Sequence, residues 1–471
     1  MHSKSQRSTT SLREELAELA RLGAPIALVQ FGMTSLNFVD VAFLGRYPGT
    51  ALSSMALGNT LSWAALVFCL GVMAAVDPLL SQAIGAKDRE AVTRTLLRGA
   101  VLAAILTIPF MLVLLPAETW LEWLGQKPEL IGDAATYARI NTFGFLPFLW
   151  FALIRSLLSS YSRVGAQVLA ILMANVLNAV IDYAWIFGNF GFPEMGVAGA
   201  AWATVTCRWA MFFFLLLLSR KELGPHLRHM GNKAVRTAAL AIRPLLRLLK
   251  LGTPIGLQFA LEMGVFAATA LLIGTFDAEV GTSGDGGPRL GGHQVAIQLA
   301  SLSFMIPLGI SLAASVRIGW AIGRGDHGAA RRSLLAALLS GAAVMTVFML
   351  LFLLWPAQLT AILTDQPDIA EWAIVLIPIA GIFQIGDGLQ VVAVGCLRGV
   401  GEVRAPLIIN ACGFWGIGLP IGCWLAFPWG MNLGPAGLWW GLVIGLFAVA
   451  FGLLATVRRR FAEERGRLHI E

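Results

Sequence analysis

Four polar residues lie inside apolar stretches of the chain: Asp40, Asn178, Asp182 and Thr204. A carboxylate in hydrocarbon costs about 2.5–3.5 kcal/mol on insertion scales, so it usually faces a wet cavity and marks function. Asn178 and Asp182 are four residues apart, which places them on one face of a helix. Such oxygens are hard ligands of the kind that bind Na⁺, and two close carboxylates would equally share a proton. We predict a cation-coupling site; the alternative is a structural hydrogen-bond network between helices.

The elements that position these residues are predicted to be transmembrane helices. Of 471 residues, 57% are hydrophobic and 13% are charged, whereas soluble proteins average about 25% charged residues. Apolar runs of about twenty residues, long enough to span a bilayer, recur from end to end. The sequence therefore predicts an all-α polytopic membrane protein with twelve helices, at 23–45, 51–82, 92–115, 134–158, 163–188, 196–219, 248–275, 290–322, 330–354, 370–396, 405–428 and 434–457.

The connectors between these helices alternate in charge. One set is basic: the N-terminal segment, Lys87 and Arg89, Arg163, residues 220–250, Arg324, Arg331 and Arg332, Arg398 and Arg404, and Arg458 to Arg460. The intervening set is acidic or neutral: Glu118, Glu122, Glu129 and Asp133, then Glu194, then Asp277, Glu279 and Asp285, then Asp365, Asp368 and Glu371, and the stretch after Pro428. Basic connectors stay in the cytoplasm, so both termini are predicted to be cytoplasmic. The net charge of +7 then reflects membrane orientation and argues against a nucleic-acid partner.

The second half of the chain repeats the first. The segment from Leu22 to Gly45 aligns without gaps on the segment from Leu251 to Gly274, and two later pairs of segments match in the same order. The predicted organisation is a cytoplasmic segment (1–22), an N-lobe (23–219), a basic cytoplasmic linker (220–247), a C-lobe (248–457) and a basic cytoplasmic tail (458–471). Each lobe has six helices, an even number, so the lobes are parallel repeats, with substrate expected between them and alternating access by rocking.

Depth in the membrane follows from helix direction and a rise of about 1.5 Å per residue. Asp40 and Asp182 lie about 8–9 Å below the outer ends of their helices and Thr204 about 12 Å, so the N-lobe residues share one level. The C-lobe lacks these residues, since Thr269 aligns with Asp40. It has instead Glu262 and Asp387, both predicted near the midplane, which form a second acidic pair.

Other polar residues carry weaker signals. Pro25 either begins the first helix or kinks it and acts as a hinge. Arg208, in mid-helix, needs a carboxylate partner that the sequence does not identify. His293 is expected to be a hydrogen-bonded histidine. Snorkelling or pairing at the interface is expected of four residues near inner helix ends: Asp77, Gln82, Arg155 and Arg317. The five cysteines fall in apolar runs and predict neither disulfides nor a metal site.

Several ordered motifs resemble the multidrug and toxic compound extrusion (MATE) family over about residues 15–460. They include Phe38-Val-Asp-Val-Ala-Phe-Leu-Gly45, Ser81-Gln-Ala-Ile-Gly-Ala-Lys-Asp88, Asn178-Ala-Val-Ile-Asp-Tyr183, Gly196-Val-Ala-Gly-Ala-Ala-Trp-Ala-Thr204, His293-Gln-Val-Ala-Ile-Gln298, Pro307-Leu-Gly-Ile-Ser311 and Cys396-Leu-Arg-Gly399. The resemblance implies two six-helix bundles around a V-shaped cleft. It also implies that Asp40, Asn178, Asp182 and Thr204 are the N-lobe cation site, and that Glu262 and Asp387 are the C-lobe acids of the family's NorM-type branch.

The function that these features favour is secondary antiport. We expect export of lipophilic organic cations or drugs, coupled to H⁺ or Na⁺ entry, by a monomer in the bacterial inner membrane without a cofactor. The nearest alternative is a related flippase or exporter of a lipid-linked or polar metabolite, which a cleft lined by several arginines would favour. An enzyme is disfavoured because the chain lacks G-x-S-x-G, H-E-x-x-H and G-x-x-x-x-G-K-[ST] motifs. A channel would be distinguished by flux without uphill accumulation.

Overall fold

The computed structural model of the chain describes residues 11–279, 287–462 and 468, and its regular elements in these ranges are helices. Eleven helical segments are long and apolar enough to cross a membrane, and a bent pair of helices supplies a twelfth crossing. The predicted all-α membrane fold is therefore confirmed. Outside the described residues lie three charged residues of the predicted connectors and most of the predicted tail beyond Ala462; the three residues are Lys4, Arg7 and Asp285.

We number the twelve crossings α1 to α12. They are α1 (Leu12–Leu44), α2 (Ala51–Met73 continued by Val76–Gly85), α3 (Arg89–Leu114), α4 (Pro128–Thr142 and Phe145–Ser160, bent by 46°), α5 (Gly165–Ile186), α6 (Gly196–Leu218), α7 (Ile242–Glu279), α8 (Pro288–Gly323), α9 (His327–Leu354), α10 (Pro367–Gly399), α11 (Arg404–Ala426, with a π-helical stretch Ala411–Gly418) and α12 (Pro435–Ala462).

The first helix begins at Leu12, about three turns before the predicted start at residue 23. Ser11 and Glu14 form a capping box: the Glu14 amide donates to Ser11 Oγ (3.3 Å), and the Ser11 amide donates to Glu14 Oε2 (2.8 Å). These bonds satisfy amides that a helix start leaves unpaired. The predicted start at residue 23 is therefore wrong, because hydropathy does not register a polar cap that extends a helix into water. The basic connector also contains two helices that were not predicted, Arg220–Met230 and Lys233–Leu240.

Equivalent turns in the two halves share one construction. Lys87 and Gly325 both adopt positive φ (59° and 72°). Asp88 and Asp326 follow them, and each accepts a hydrogen bond of 2.9 Å from the amide three residues on, which caps the next helix. The segment that begins at Gly85 matches the one that begins at Gly323 in sequence, and the two therefore also match in local structure.

The two halves pack closely at the face that carries the basic connectors, here called the basic face; the opposite one is the acidic face. A Cβ atom placed on Gly85 of α2 would lie 2.4 Å from the Trp320 carbonyl oxygen of α8, and one on Gly252 of α7 would lie 2.3 Å from the Val72 carbonyl oxygen of α2. Only glycine permits helix backbones to approach this closely. The structure is therefore tightly closed at the basic face.

Candidate cation-coupling site

Asp40 is the centre of a buried polar cluster in the first half. It lies on the last turn of α1 and is 3% exposed. Asn178 on α5 donates from Nδ2 to Asp40 Oδ1 (3.0 Å), and Thr204 on α6 donates from Oγ1 to Asp40 Oδ2 (2.9 Å). The structure thus brings together residues from three helices that the sequence placed at one depth, while their role in coupling stays a prediction.

Asp182 completes this cluster from the next turn of α5. It is 0% exposed, and the Asp40 carboxylate acts on it electrostatically. Within the described residues, both Asp182 carboxylate oxygens and Asn178 Oδ1 are buried without a hydrogen-bond donor. Buried polar atoms in native proteins are nearly always paired, so three orphaned acceptors need an explanation. A shared proton, or a monovalent cation bound by oxygens, would satisfy them.

Arg208 supplies a positive charge beside this cluster. It is 8% exposed, and its guanidinium acts electrostatically on Asp40. Its Nη1 donates to the Asn141 carbonyl oxygen (3.4 Å), and the guanidinium carbon lies 5.3 Å from the centre of the Phe148 ring. Asp40 is therefore the carboxylate that acts electrostatically on Arg208, while the direct contacts of the guanidinium are with Asn141 and Phe148.

The second half holds its own acidic pair. Gln390 on α10 donates from Nε2 to Glu262 Oε1 on α7 (3.0 Å). Asp387 lies one turn before Gln390, is buried, and acts electrostatically on Glu262. The two carboxylates that the sequence placed near one level thus lie close enough to interact electrostatically. Arg398 also acts electrostatically on Glu262. The sequence assigned Arg398 to a basic connector, but the residue is buried near the end of α10. Its guanidinium carbon lies 5.6 Å from the centre of the Phe259 ring.

The polar residues assigned to inner helix ends connect helices or the two halves. Ser156 donates to Asp77, and Arg155 donates to Gln30. Gln82, which is buried, donates from Nε2 to the Gly399 carbonyl oxygen of the second half (2.9 Å). These residues are not snorkelling to a surface; they form polar contacts within the closed basic face.

Glu15 and Arg317 form an ion pair between the halves that was not predicted. Arg317 Nε and Nη2 donate to the two Glu15 carboxylate oxygens at 2.7 and 2.8 Å, and Ser333 also donates to Glu15. The sequence predicted either snorkelling or pairing for Arg317, and the structure shows that Arg317 is paired. Glu15 escaped notice because it precedes the predicted start of α1.

Two expectations from the sequence need correction. Pro25 is 13 positions beyond Leu12, the first residue of α1, so it cannot initiate the helix. Pro25 lacks a backbone N–H donor and lies in the interior of α1, so the prediction that remains is a kink that acts as a hinge. A surface groove of about 590 Å³ lies beside Pro25 and is lined also by Leu28 and Leu172. His293 is buried, but its Nδ1 has no hydrogen-bond partner among the described residues, so the expectation of a fully bonded histidine is wrong there.

Comparison with known proteins gives consistent matches along nearly the whole chain. The MatE family model matches residues 25–184 and 254–424, one match in each half. The chain is 34% identical to the probable multidrug resistance protein NorM of Mesorhizobium japonicum, over 95% of this chain and 94% of that protein. It is 33% identical to the multidrug resistance protein PmpM of Pseudomonas aeruginosa, over 98% and 95%.

A solved structure described as the outward-facing conformation of a multidrug resistance MATE family transporter superposes with a TM-score of 0.82 at 19% identity, covering 98% of this chain and all of that one. The twelve apolar crossings and buried carboxylates define a multi-pass helical membrane transporter. The chain belongs to the MatE family, the multidrug and toxic compound extrusion transporters.

Proposed function

We propose that this chain is an antiporter that exports lipophilic organic cations in exchange for H⁺ or Na⁺ across the bacterial inner membrane. The observation that carries the proposal is the buried pair of Asp40 and Asp182, where three acceptor oxygens have no donor in the part of the chain that the structure describes. A carboxylate pair that takes up and releases one cation couples ion movement to conformation, since each charge state favours a different arrangement. The relatives named as multidrug resistance proteins support drugs as the exported class.

The proposed cycle uses both halves as rigid lobes, 23–219 and 248–457, joined by the linker 220–247. Both termini, 1–22 and 458–471, are proposed to be cytoplasmic, so the closed basic face is the inner one. Substrate binds between the lobes when the cleft opens inward and leaves when it opens outward. Cation arrival from outside, at Asp40 and Asp182 or at Glu262 and Asp387, then returns the carrier.

The same carboxylates can serve substrate and ion in turn. An ionised Glu262 or Asp387 attracts a cationic drug, and a bound H⁺ or Na⁺ cancels that attraction. Exclusive occupancy by ion or drug couples the two movements only if the empty carrier does not cross, because an empty crossing would move the drug or the ion without the other. Small-molecule organic cations are therefore the proposed substrates, and no cofactor takes part.

Purified protein in proteoliposomes tests the proposal. Efflux of one fluorescent organic cation is followed under separately imposed H⁺ and Na⁺ gradients. Asp40→Asn should reduce gradient-driven efflux at least tenfold, whereas Asp365→Asn, which changes an exposed connector carboxylate, should export like the wild type. An Asp40→Asn protein that exports at the wild-type rate under every gradient would remove Asp40 from the mechanism.

A second candidate, export of a lipid-linked or polar metabolite, is favoured by one observation. Arg155 and Arg398 act electrostatically on Asp77, from opposite halves of the molecule, and arginines in this region suit an anionic group. The two functions differ in substrate charge. Inhibition of efflux by competing organic cations, but not by anionic lipid analogues, would favour the antiporter.

A further inference from the structure

The connector between the two halves presents a strongly basic surface. Residues 220–250 form two short helices, Arg220–Met230 and Lys233–Leu240, and the first turns of α7. Glu222 is the one acidic residue of this stretch, and its carboxylate lies 3.8 Å from the Arg163 guanidinium. All eight lysine and arginine side chains of the stretch are exposed: Arg220, Lys221, Arg228, Lys233, Arg236, Arg243, Arg247 and Lys250. The surface therefore has a large excess of positive charge.

Contacts with α3 hold the two linker helices in place. In the first helix a ring nitrogen of His226 lies 2.8 Å from Thr93 Oγ1 of α3, and both side chains are buried. At the end of the second helix the carbonyl oxygens of Ala238 and Ala239 accept hydrogen bonds of 3.2 and 3.3 Å from Arg98 of α3. A cation is favoured at such a helix C-terminus. The basic surface is thus the outer side of a folded and anchored element.

The basic side chains nearest to the start of α7 lack a counter-charge. In the part of the chain that the structure describes, ion-pair partners are missing for four of them: Lys233, Arg236, Arg243 and Arg247. Lys233 and Arg236 are three residues apart on the second linker helix, which places them on one face. Arg243 and Arg247 are four residues apart on α7 and likewise share a face. Like charges that are close along the chain repel one another, and an external anion would relieve that repulsion.

Exposed apolar side chains alternate with these charges. Leu240, Ile242 and Leu246 are all exposed. The connector begins two residues after Leu218, where the apolar crossing α6 ends, and its last part is the start of crossing α7. The connector is therefore adjacent to the bilayer surface. Basic and apolar side chains side by side are typical of segments that lie at the boundary between lipid headgroups and acyl chains.

We propose that this surface binds the headgroups of anionic phospholipids. The lipid phosphate pairs with the four unpaired cations, since a guanidinium matches the geometry of a phosphate, and the acyl chains contact the exposed leucine and isoleucine side chains. The second linker helix is anchored to the first half through Arg98, whereas α7 belongs to the second half. Lipids bound to both pairs of cations therefore link the two halves. Lipid binding here is independent of which ion drives export.

Native mass spectrometry of the detergent-purified full chain tests the proposal. The protein is titrated with phosphatidylglycerol or with phosphatidylcholine of the same acyl chains, and the fraction of protein that carries lipid is measured. The wild type should bind phosphatidylglycerol at least tenfold more tightly than phosphatidylcholine. The linker variant Lys233→Gln/Arg236→Gln/Arg243→Gln/Arg247→Gln should lose most of this preference, because each basic residue near anionic lipid adds to the attraction.

A control variant separates this surface from net charge. It removes four exposed basic residues from other connectors of the basic face: Lys87→Gln/Arg324→Gln/Arg404→Gln/Arg458→Gln. Its net charge equals that of the linker variant, and it should keep the wild-type preference. An equal loss in both variants, or a linker variant that keeps the preference, overturns the proposal. If the linker variant is not monodisperse, Arg243→Gln/Arg247→Gln takes its place, with Lys87→Gln/Arg324→Gln as its control.

The soluble headgroup distinguishes a lipid site from a site for anions in general. Glycerol phosphate, added in tenfold excess over lipid, carries the same phosphate but has no acyl chains to contact the exposed apolar side chains. It should leave phosphatidylglycerol bound. Displacement of the lipid by glycerol phosphate would identify a site for soluble anions and overturn the assignment to phospholipid.

Discussion

At the scale of single residues, the hydrogen bonds that Asp40 accepts from other side chains of the described residues come from neutral donors. Asn178 and Thr204 donate to its two oxygens, and the formal positive charge that acts on it comes from Arg208. Neutral donors orient a carboxylate and support its ionised form without cancelling its charge. This arrangement leaves Asp40 and Asp182 in need of a mobile cation, as the proposed coupling requires.

Thr204→Val tests the orienting bond. It removes the Thr204 Oγ1 donor to Asp40 Oδ2 at nearly constant volume. A hydrogen bond to a charged group contributes about 1.5–3 kcal/mol, so the cation concentration for half-maximal export should change roughly tenfold or more. Thr206→Val, two residues along α6 and on the opposite side of the helix, is the matched control and should leave that concentration unchanged. Equal behaviour of the two variants would show that the bond does not contribute.

At the scale of elements, α1 joins the two halves. Its early residues Leu19, Leu22 and Ile26 pack in the apolar core of the second half, whereas Asp40 at its far end belongs to the first-half cluster. A bend near Pro25 would therefore change how the N-lobe site sits relative to the second half. The helix provides a direct mechanical link between ion binding and lobe packing.

Pro25→Ala tests this link by restoring a backbone donor in the middle of α1. A straighter, stiffer helix should slow export several-fold while leaving equilibrium binding of the fluorescent cation unchanged. Pro128→Ala serves as the control, because Pro128 stands at the first position of its helix, where proline is tolerated. Wild-type export by Pro25→Ala would exclude a hinge there.

The helix Arg220–Met230 of the linker docks through His226. Its ring nitrogens lie 2.8 Å from Thr93 Oγ1 and 2.9 Å from the Tyr161 hydroxyl. Burial, reinforced by Arg89 and His229, lowers the pKa of His226 below its ordinary value. The neutral ring is therefore the docked form.

Acidification should release this helix. With the pKa lowered in the folded protein, the undocked histidine takes up a proton first, so docking is fully stable above about pH 6.5 and weakens as pH falls through the folded-state value. Limited proteolysis of the linker at pH 7.5 and 5.5 should show faster cleavage at the lower pH. In His226→Gln the rates at the two pH values should converge; a persistent difference would point to another group.

At the scale of the whole molecule, the structure is held closed at the basic face by close helix packing and by polar contacts between the halves. The Glu15–Arg317 pair is one of these contacts: Arg317 donates to both carboxylate oxygens, and Glu15 is only 3% exposed. Removing one partner of a buried pair leaves the other charge uncompensated. An opening that moved the start of α1 away from the second half would break this pair.

Glu15→Gln should therefore shift the molecule toward opening at the basic face. Loss of a buried partner costs about 3–5 kcal/mol in comparable cases, enough to change the populations of two states by more than a hundredfold. Distances between spin labels on the two halves at the basic face should lengthen. Glu18→Gln, which alters a half-exposed carboxylate 3.6 Å from Arg317, should change them little. Unchanged distances in Glu15→Gln would mean that helix packing alone holds the face closed.

The sequence by itself determined the membrane fold, because apolar runs long enough to cross a bilayer have no stable alternative to helix formation. It also placed Asp40, Asn178, Asp182 and Thr204 at one depth, since helix rise converts residue number into height. The sequence could not give the rotation of each helix about its own axis, or the face of that helix on which a neighbouring helix packs. Only the tertiary structure therefore decided that Arg208 belongs beside Asp40, that Glu15 crosses to Arg317, and that Pro25 lies inside a longer helix. These contacts join residues up to 302 positions apart, and packing between helices, which no local pattern encodes, brings them together.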